Sequence, residues 1–316
     1  MASFPLNDYV IVRASSTSTK GAGLFAKRDL EPGRRVVCED PLLMCDDLPL
    51  KGQGRTPVMQ RLSKEQKERF ARLPTGPGDV FRVLGINSRP LIPGDAESGI
   101  HLMNAVKYND VRLQTAHCEM VGFFTAVVSH SCTPNSYLCY NEATESMDLH
   151  LVHKVAKDEE ITVSYFQDNY SFPQSVRAER LQKWNFTCTC SSCTTNSAIS
   201  DTRRARVKWF FSDYDQLTMT RLLNDGNIIS RRGRVNLGNQ DVWDMMEDLR
   251  QILQHMKDEG LYGVAMTSVL MDLACLYEDV GDLQNRRANM REALRIQEMC
   301  LGVFHPDTRA LARLTS

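Results

Sequence analysis

The chain has 316 residues, more than the roughly 150 typical of one domain, so we expect two domains and a sizeable buried core. Its 38 Lys and Arg against 39 Asp and Glu leave a net charge of −1, which argues against a dominant charge-driven binder of nucleic acid. Ten cysteines, with no signal-peptide pattern and no membrane-length apolar run, predict thiols and metal in the cytoplasm or nucleus.

The first segment predicts short strands on either side of a turn that contains two glycines. Strand signals cover 9–13 and 34–39, and both stretches are rich in β-branched residues. Between them lies Lys20-Gly21-Ala22-Gly23, followed by the apolar residues 24–26. Two glycines one residue apart permit a close backbone approach to a ligand that a side chain would block. On its own, this pair is typical of a loop.

Residues 46–100 differ in character from the strands around them. A charged, helix-favouring pattern covers 62–73, and glycine-rich loops flank it. No cysteine lies between Cys45 and Cys118, so a zinc finger cannot be built in this stretch. We therefore expect a helical insertion here.

The densest motif is Ser129-His130-Ser131-Cys132-Thr133-Pro134-Asn135, which follows an apolar run over 121–128. Adjacent Ser, His and Cys suggest a nucleophile with its base, but neighbours in sequence rarely face one another correctly, which argues against hydrolase chemistry. Strand signals follow over 149–152 and 161–164, and the second ends at Tyr165.

Three cysteines lie close together in Cys188-Thr189-Cys190-Ser191-Ser192-Cys193, after a short predicted helix over 174–187. A structural zinc site takes four tetrahedral ligands, so a fourth ligand must come from elsewhere. Three clustered cysteines in so polar a loop favour a bound metal. His150 and His153 have no third ligand at metal spacing and predict ordinary structural histidines.

Residues 201–316 have helical patterning and predict a separate all-α domain. Apolar residues, Trp243 among them, recur at three- and four-residue spacing over candidate helices at 242–256, 264–278 and 283–300. The turn before the third of these helices, and its alanine spacing, resemble one or two incomplete tetratricopeptide repeats, with an antiparallel bundle as the alternative. Basic runs at 203–208 and 231–234 predict solvated helix faces or loops, or else a patch for an acidic partner.

Taken in order, the glycine pair, the 129–135 motif, the stretch 158–165 and the cysteine cluster resemble the SET-domain methyltransferases. The sequence is most similar to the SET- and MYND-domain lysine methyltransferases, without their MYND finger. The resemblance implies an α+β fold with a pseudoknot, and an insertion that walls the substrate site. The implied regions are a β-rich SET domain at 1–187 with a variable helical insertion at 46–100, a zinc-binding post-SET segment at 188–200 and an all-α, TPR-like domain at 201–316.

The resemblance also implies roles for individual residues. Tyr165 is the implied catalytic residue, and Trp184 would wall the amine channel. Ser129 stands where the family carries asparagine, and one hydroxyl in place of an amide is expected to weaken cofactor binding about tenfold. The implied S-adenosylmethionine site consists of Lys20, Gly21, Ala22, Gly23, Asn104, Ser129, His130 and Phe186. The implied ligands of one structural Zn²⁺ are Cys132, Cys188, Cys190 and Cys193.

The implied function is S-adenosylmethionine-dependent N-methyl transfer, and we expect the acceptor to be a protein lysine. Ser129 motivates an alternative from another class, a binding scaffold with a degenerate cofactor site. The missing finger motivates a second alternative, an enzyme that acts on a small molecule. We expect a monomer with no strong nucleic-acid signal and no membrane association.

Overall fold

The computed structural model describes residues 4–5, 7–15, 22–41, 43–46, 63–65, 68, 106–109, 117–122, 124–166, 172–182, 186–214, 220–222, 228–230 and 239–315. The helix predicted over 62–73 lies largely outside these residues. The predicted site residues Lys20, Gly21, Asn104 and Trp184 also lie outside them.

The described strands, in chain order, are β1 (Phe4–Pro5), β2 (Val10–Ala14), β3 (Ala22–Ala26), β4 (Arg35–Glu39), β5 (Leu43–Asp46), β6 (Val106–Asn109), β7 (His117–Val121), β8 (Ser129–His130), β9 (Ser136–Asn141), β10 (Ser146–Leu151), β11 (Glu160–Val163), β12 (Thr220–Leu222) and β13 (Ile228–Ser230). The described helices are α1 (Gln174–Leu181), α2 (Ser197–Tyr214), α3 (Asn239–Asp258), α4 (Val264–Asp279), α5 (Leu283–Leu301) and α6 (Pro306–Thr315). A single 3₁₀ turn, Thr125–Val127, precedes β8.

These strands form small sheets, as the resemblance implied. A five-stranded sheet has the order β1-β2-β3-β11-β8, and three-stranded sheets have the orders β4-β10-β9 and β5-β7-β6. β12 and β13 form a separate hairpin pair. The strands predicted over 9–13, 34–39, 149–152 and 161–164 are confirmed as β2, β4, β10 and β11, with ends that differ by a few residues. The fold is therefore α+β in the described part of the chain, while the pseudoknot stays a prediction.

Strand β11 lies between β3 and β8 in the five-stranded sheet. It pairs antiparallel with β3 and parallel with β8, so it joins segments more than a hundred residues apart in sequence. Ile161 and Val163 point into a core that includes Leu24, Val128 and Leu149, because alternate residues of a strand face opposite sides of a sheet. The opposite face of β11, which carries Glu160, is left to line the site.

The three helices predicted from apolar spacing are confirmed as α3, α4 and α5. On α3, Met246, Leu249 and Met256 are fully buried at three- and four-residue intervals. Trp243 was placed on this apolar stripe, but its side chain is 49% exposed, so that assignment was wrong. α4 packs against both α3 and α5, and α5 also packs on β9 and β10. The choice between a repeat-like pair and a simple bundle stays a prediction.

Two further sequence predictions need correction. The helix expected over 174–187 is α1 and ends at Leu181, and the N–H of Phe186 then donates to the Leu181 carbonyl at 3.3 Å. The basic run 203–208 lies within α2, but Arg204 is fully buried rather than solvated. None of the helices in the described part of the chain combines the length and apolarity that crossing a bilayer requires.

Candidate functional site

Three sequence motifs meet around β11. Thr162 and Val163 pair with Ser129 and His130 of β8, on one side of the strand. Glu160 pairs with Phe25 of β3 on the other side, next to the glycine segment. The glycine segment, the 129–135 motif and the strand before Tyr165 therefore lie together, although each is far from the others in the sequence.

Gly23, Ser129 and Glu160 form the contact between these motifs. The Ser129 hydroxyl donates a hydrogen bond of 2.6 Å to Oε1 of Glu160, and Ser129 is 3% exposed. A Cβ built on Gly23 would collide with the same Oε1, so a side chain at this position would displace the carboxylate. The second glycine is therefore required by close packing with Glu160. Gly23 does not have a positive φ, so a left-handed backbone conformation does not explain why glycine occupies this position.

The buried His130 side chain connects the 129–135 motif to the residues that follow β11. Its Nδ1 accepts a hydrogen bond from the backbone N–H of Tyr165 at 2.9 Å. Its Nε2 lies 3.3 Å from Sγ of Cys132. Burial lowers the pKa of His130 to about 3, so the ring is neutral at physiological pH and carries its proton on Nε2. The neighbouring Arg177 and Arg204 guanidiniums lower this pKa further.

Aromatic side chains surround the His130 ring. The centroid distances are 5.1 Å to Tyr165, 5.0 Å to Phe166 and 6.0 Å to Phe186. Phe186, which the sequence places near the adenine of a cofactor, is thus brought next to the 129–135 motif from a segment beyond α1. These rings give one side of the site an apolar wall.

The hydroxyl of Tyr165 has a fixed orientation. It donates a hydrogen bond of 2.7 Å to the backbone carbonyl of Val128, the residue immediately before β8. Burial raises the pKa of the Tyr165 phenol, so the group stays protonated and keeps this bond at physiological pH. The site therefore contains a neutral hydroxyl and a peptide carbonyl side by side.

The four predicted cysteine ligands come together in space. The Sγ atoms of Cys132, Cys188, Cys190 and Cys193 all lie within 4.8 Å of one another, and Cys132 is fully buried. The Cys132 and Cys193 sulfurs are 3.6 Å apart. A tetrahedral zinc with Zn–S bonds of about 2.3 Å requires sulfurs about 3.8 Å apart, so this donor set fits the metal. Hydrogen bonds within the cluster lower the pKa of Cys190 and Cys193 and raise the pKa of Cys132, so the four thiols share protons as one group.

The comparison with known families agrees with this geometry. Residues 21–166 match the model of the SET domain. The match supports a SET-domain protein, and SET domains are in general methyltransferases. It spans Gly23, the 129–135 motif and Tyr165, and it ends before Phe186 and the Cys188–Cys193 cluster. No curated protein matched the chain.

Two buried arginines next to the four clustered cysteines were not identified from the sequence. Arg177 of α1 places Nη2 3.6 Å from Sγ of Cys193 and donates to the Ser192 carbonyl at 3.1 Å. Arg204 of α2 donates from Nη2 to the Cys132 carbonyl at 2.9 Å. Both side chains are fully buried. Four thiolates around Zn²⁺ leave about two negative charges, and two guanidiniums beside them offset that charge.

Glu259 was also missed, and it connects this region to the helices after α2. Its Oε2 accepts from Arg204 Nε at 3.0 Å, from Ser200 Oγ at 2.6 Å and from Ser192 Oγ at 3.2 Å. Glu259 is 3% exposed and lies just after α3. No sequence signal pairs Arg204 with Glu259, because 55 residues separate them and each lies in a mixed charged stretch. The solvated-face prediction for 203–208 failed at Arg204 for this reason.

The described predicted site residues therefore fall into two adjacent groups. Ala22 and Gly23 lie on β3, and Ser129 and His130 lie on β8, on the other side of β11, with Phe186 beside His130. Tyr165 and the four cysteines lie on either side of His130. His150 and His153 belong to neither group, since they face Gly302 and Gly260 of the helical part. They fit the structural role expected of them.

Proposed function

We propose that this protein is an S-adenosylmethionine-dependent N-methyltransferase and that its acceptor is a protein lysine. The observation that carries the proposal is the Tyr165 hydroxyl on the Val128 carbonyl, 2.7 Å away, inside a region that matches the SET domain. A hydroxyl and a carbonyl held together at the junction of three motifs form a polar centre against an apolar wall. That arrangement suits the positioning of an amine and a methyl group.

The residues present fit the cofactor. The glycine segment carries no bulky side chain at Ala22 or Gly23, and the rings around His130 provide an apolar surface for a purine. S-adenosylmethionine, when bound, supplies a methyl group on an electrophilic sulfonium. The residues that would hold it are Lys20, Gly21, Ala22, Gly23, Asn104, Ser129, His130 and Phe186.

The chain's own residues would contribute mainly alignment. Methyl transfer is an in-line displacement, and holding the reactants in line supplies a large part of the rate. The protonated Tyr165 phenol, anchored on Val128, offers its oxygen to the incoming amine. The amine must be neutral to attack, and a lysine titrates near pH 10.4 in water. In the proposed site, a narrow apolar channel with Trp184 as a wall would lower that pKa by desolvation.

Zinc would have a structural role in this proposal. The ligands Cys132, Cys188, Cys190 and Cys193 would tie the post-SET segment 188–200 to the 129–135 motif. Arg177 and Arg204, both fully buried, support this by balancing the charge of the thiolates. The metal would thereby hold Phe186 against His130.

The proposal also gives a role to the helical part of the chain, residues 201–316. We place the chain near the SET- and MYND-domain lysine methyltransferases, without their finger, and treat 201–316 as a TPR-like domain that narrows substrate entry. The packing of α5 on β9 and β10 supports an attached rather than a tethered domain. A monomer in the cytoplasm or nucleus is part of the same proposal.

Calorimetry with S-adenosylmethionine and S-adenosylhomocysteine, followed by mass spectrometry of peptide arrays incubated with labelled cofactor, tests the function. Binding with label on lysine supports the proposal. Binding with label only on small molecules of a cell extract favours the small-molecule enzyme. Absence of cofactor binding in folded protein overturns the proposal in favour of the scaffold that Ser129 motivates.

A further inference from the structure

The departure at Ser129 is accompanied by a specific contact. In place of an amide, the site carries a hydroxyl that donates to Oε1 of Glu160 at 2.6 Å. The pair lies where Gly23 has no side chain, so the carboxylate reaches the backbone of the glycine segment. A serine that had only lost the ability to bind the cofactor would not be expected to orient the Glu160 carboxylate as well.

The position of Glu160 is fixed from its own strand. The Asn135 side chain donates from Nδ2 to the Glu160 carbonyl at 2.9 Å and accepts from the Thr162 N–H at 2.8 Å. Along β11, Ile161 is fully buried in the core, while Glu160 on the opposite face is half-buried. The carboxylate is therefore held in place and yet faces the side of the sheet away from the core.

A carboxylate and a hydroxyl at this point define the chemistry of the ligand. An ionised carboxylate only accepts hydrogen bonds, and its two oxygens offer about four acceptor positions, so it can bind several donors at once. An ammonium group has three donors and a positive charge, and charge-assisted bonds of this kind are about twice as strong as neutral ones. The glycine segment beside it is the part of the site expected to meet the amino-acid end of the cofactor.

We propose that Glu160, oriented by Ser129, binds the α-ammonium of the cofactor's methionine portion. The inference rests on the proposed function. It makes Glu160 a cofactor-binding residue that the sequence motifs did not single out. It also changes the meaning of Ser129, because the serine would belong to a site rebuilt around a carboxylate instead of a site that has lost its ligand.

Two ligands separate the amino-acid end of the cofactor from the rest. S-adenosylhomocysteine carries the ammonium, whereas 5′-methylthioadenosine lacks the whole amino-acid portion. Glu160→Gln should weaken S-adenosylhomocysteine binding about tenfold or more, as expected for a hydrogen bond to a charged group, and leave 5′-methylthioadenosine binding unchanged. Calorimetry with both ligands measures this difference.

Three variants complete the design. Glu159→Gln is the matched control, because the neighbouring carboxylate is exposed and accepts from the Ala156 N–H at 2.8 Å instead; both affinities should stay at the wild-type level. Ser129→Ala keeps the carboxylate but removes its orienting hydroxyl, and should weaken S-adenosylhomocysteine several-fold. Ser129→Asn should give no gain in affinity. Thermal melting identifies a variant that has lost its fold.

The outcomes are separable. An equal loss of both ligands in Glu160→Gln, an unchanged affinity for S-adenosylhomocysteine, or a tighter Ser129→Asn variant overturns the role of Glu160 and leaves the proposed function standing. A wild-type protein that binds neither ligand overturns the proposed function itself and the inference with it. A loss confined to S-adenosylhomocysteine supports both.

Discussion

Replacing Glu259 by Gln removes one charge from a buried network while keeping the length of the side chain. Glu259 accepts three hydrogen bonds of 2.6 to 3.2 Å, from Arg204, Ser200 and Ser192. Arg204 is fully buried, so its guanidinium would lose the carboxylate with which it pairs at 3.0 Å. If the three bonds were additive they would contribute roughly 5–9 kcal/mol, but the glutamine oxygen still accepts part of them. We expect a loss of about 3–5 kcal/mol, typical of a broken buried ion pair.

Thermal unfolding followed by calorimetry measures this loss. At about 2 °C per kcal/mol for a chain of this size, the midpoint should fall by roughly 6–10 °C. Glu247→Gln in α3 is the matched control. Its carboxylate is 59% exposed and pairs with Arg250 at 3.4 Å, and such surface pairs contribute about 0.5 kcal/mol or less. The control midpoint should therefore shift by about 1 °C.

A double substitution tests whether the two charges act as a pair. Arg204→Met alone removes the buried cation closest to Glu259 and leaves only the 3.5 Å contact with Arg203, so it should also destabilise strongly. Arg204→Met with Glu259→Met should be less unstable than the sum of the two single Met variants, since no unpaired charge remains. A midpoint of Glu259→Gln within 2 °C of the control, or strict additivity in the cycle, would refute the reasoning.

Three further predictions concern the site and its surroundings. Tyr165→Phe removes the oxygen that bonds to Val128 and should lower turnover tenfold or more with cofactor affinity retained; full methyl transfer on an identified substrate would show that Tyr165 is not catalytic. Cys190→Ser should lower zinc content from about one per chain, together with cofactor affinity, and metal-free protein that is well folded would contradict the zinc site. Burial lowers the pKa of His150 to about 4, with Asp148 opposing and Arg35 and His305 adding to the shift. The imidazole of His150 takes up its proton at a higher pH in the unfolded chain than in the folded protein. This residue alone should therefore lower the free energy of unfolding by about 3 kcal/mol as pH drops from about 6.5 to about 4. His150→Gln should flatten that slope, and an unchanged slope would exclude His150 as its source.

Local pattern alone was enough for much of the fold. The strand signals in the sequence gave β2, β4, β10 and β11, and the three- and four-residue apolar spacing gave α3, α4 and α5. These elements are set by the period of the buried face, which is written in consecutive residues. Trp243 was misplaced because periodicity assigns every residue of an apolar stripe to the core. In the folded protein, a residue at the edge of the stripe can stay exposed, as Trp243 does.

The candidate site was predictable as a set of residues but not as an arrangement. The cysteines at 188–193 indicated a metal by their spacing, and the motif order indicated the SET domain, which the match over residues 21–166 supports. What the order of motifs cannot give is which atoms touch. The bond from Ser129 to Glu160 joins residues on two different strands, and it exists only because β8 and β11 lie side by side in parallel.

The amino-acid sequence by itself determined the elements, the cysteine cluster at 188–193 and the family resemblance, because each depends on residue types at short, fixed spacing. Only the tertiary structure decided that Arg204 is buried, that Glu259 balances it, and that Gly23 makes room for a carboxylate. Such pairs form between segments whose separation in sequence carries no information about distance in space. Their energies also depend on burial, since a charge pair that contributes little in water becomes costly to break once both partners are removed from solvent.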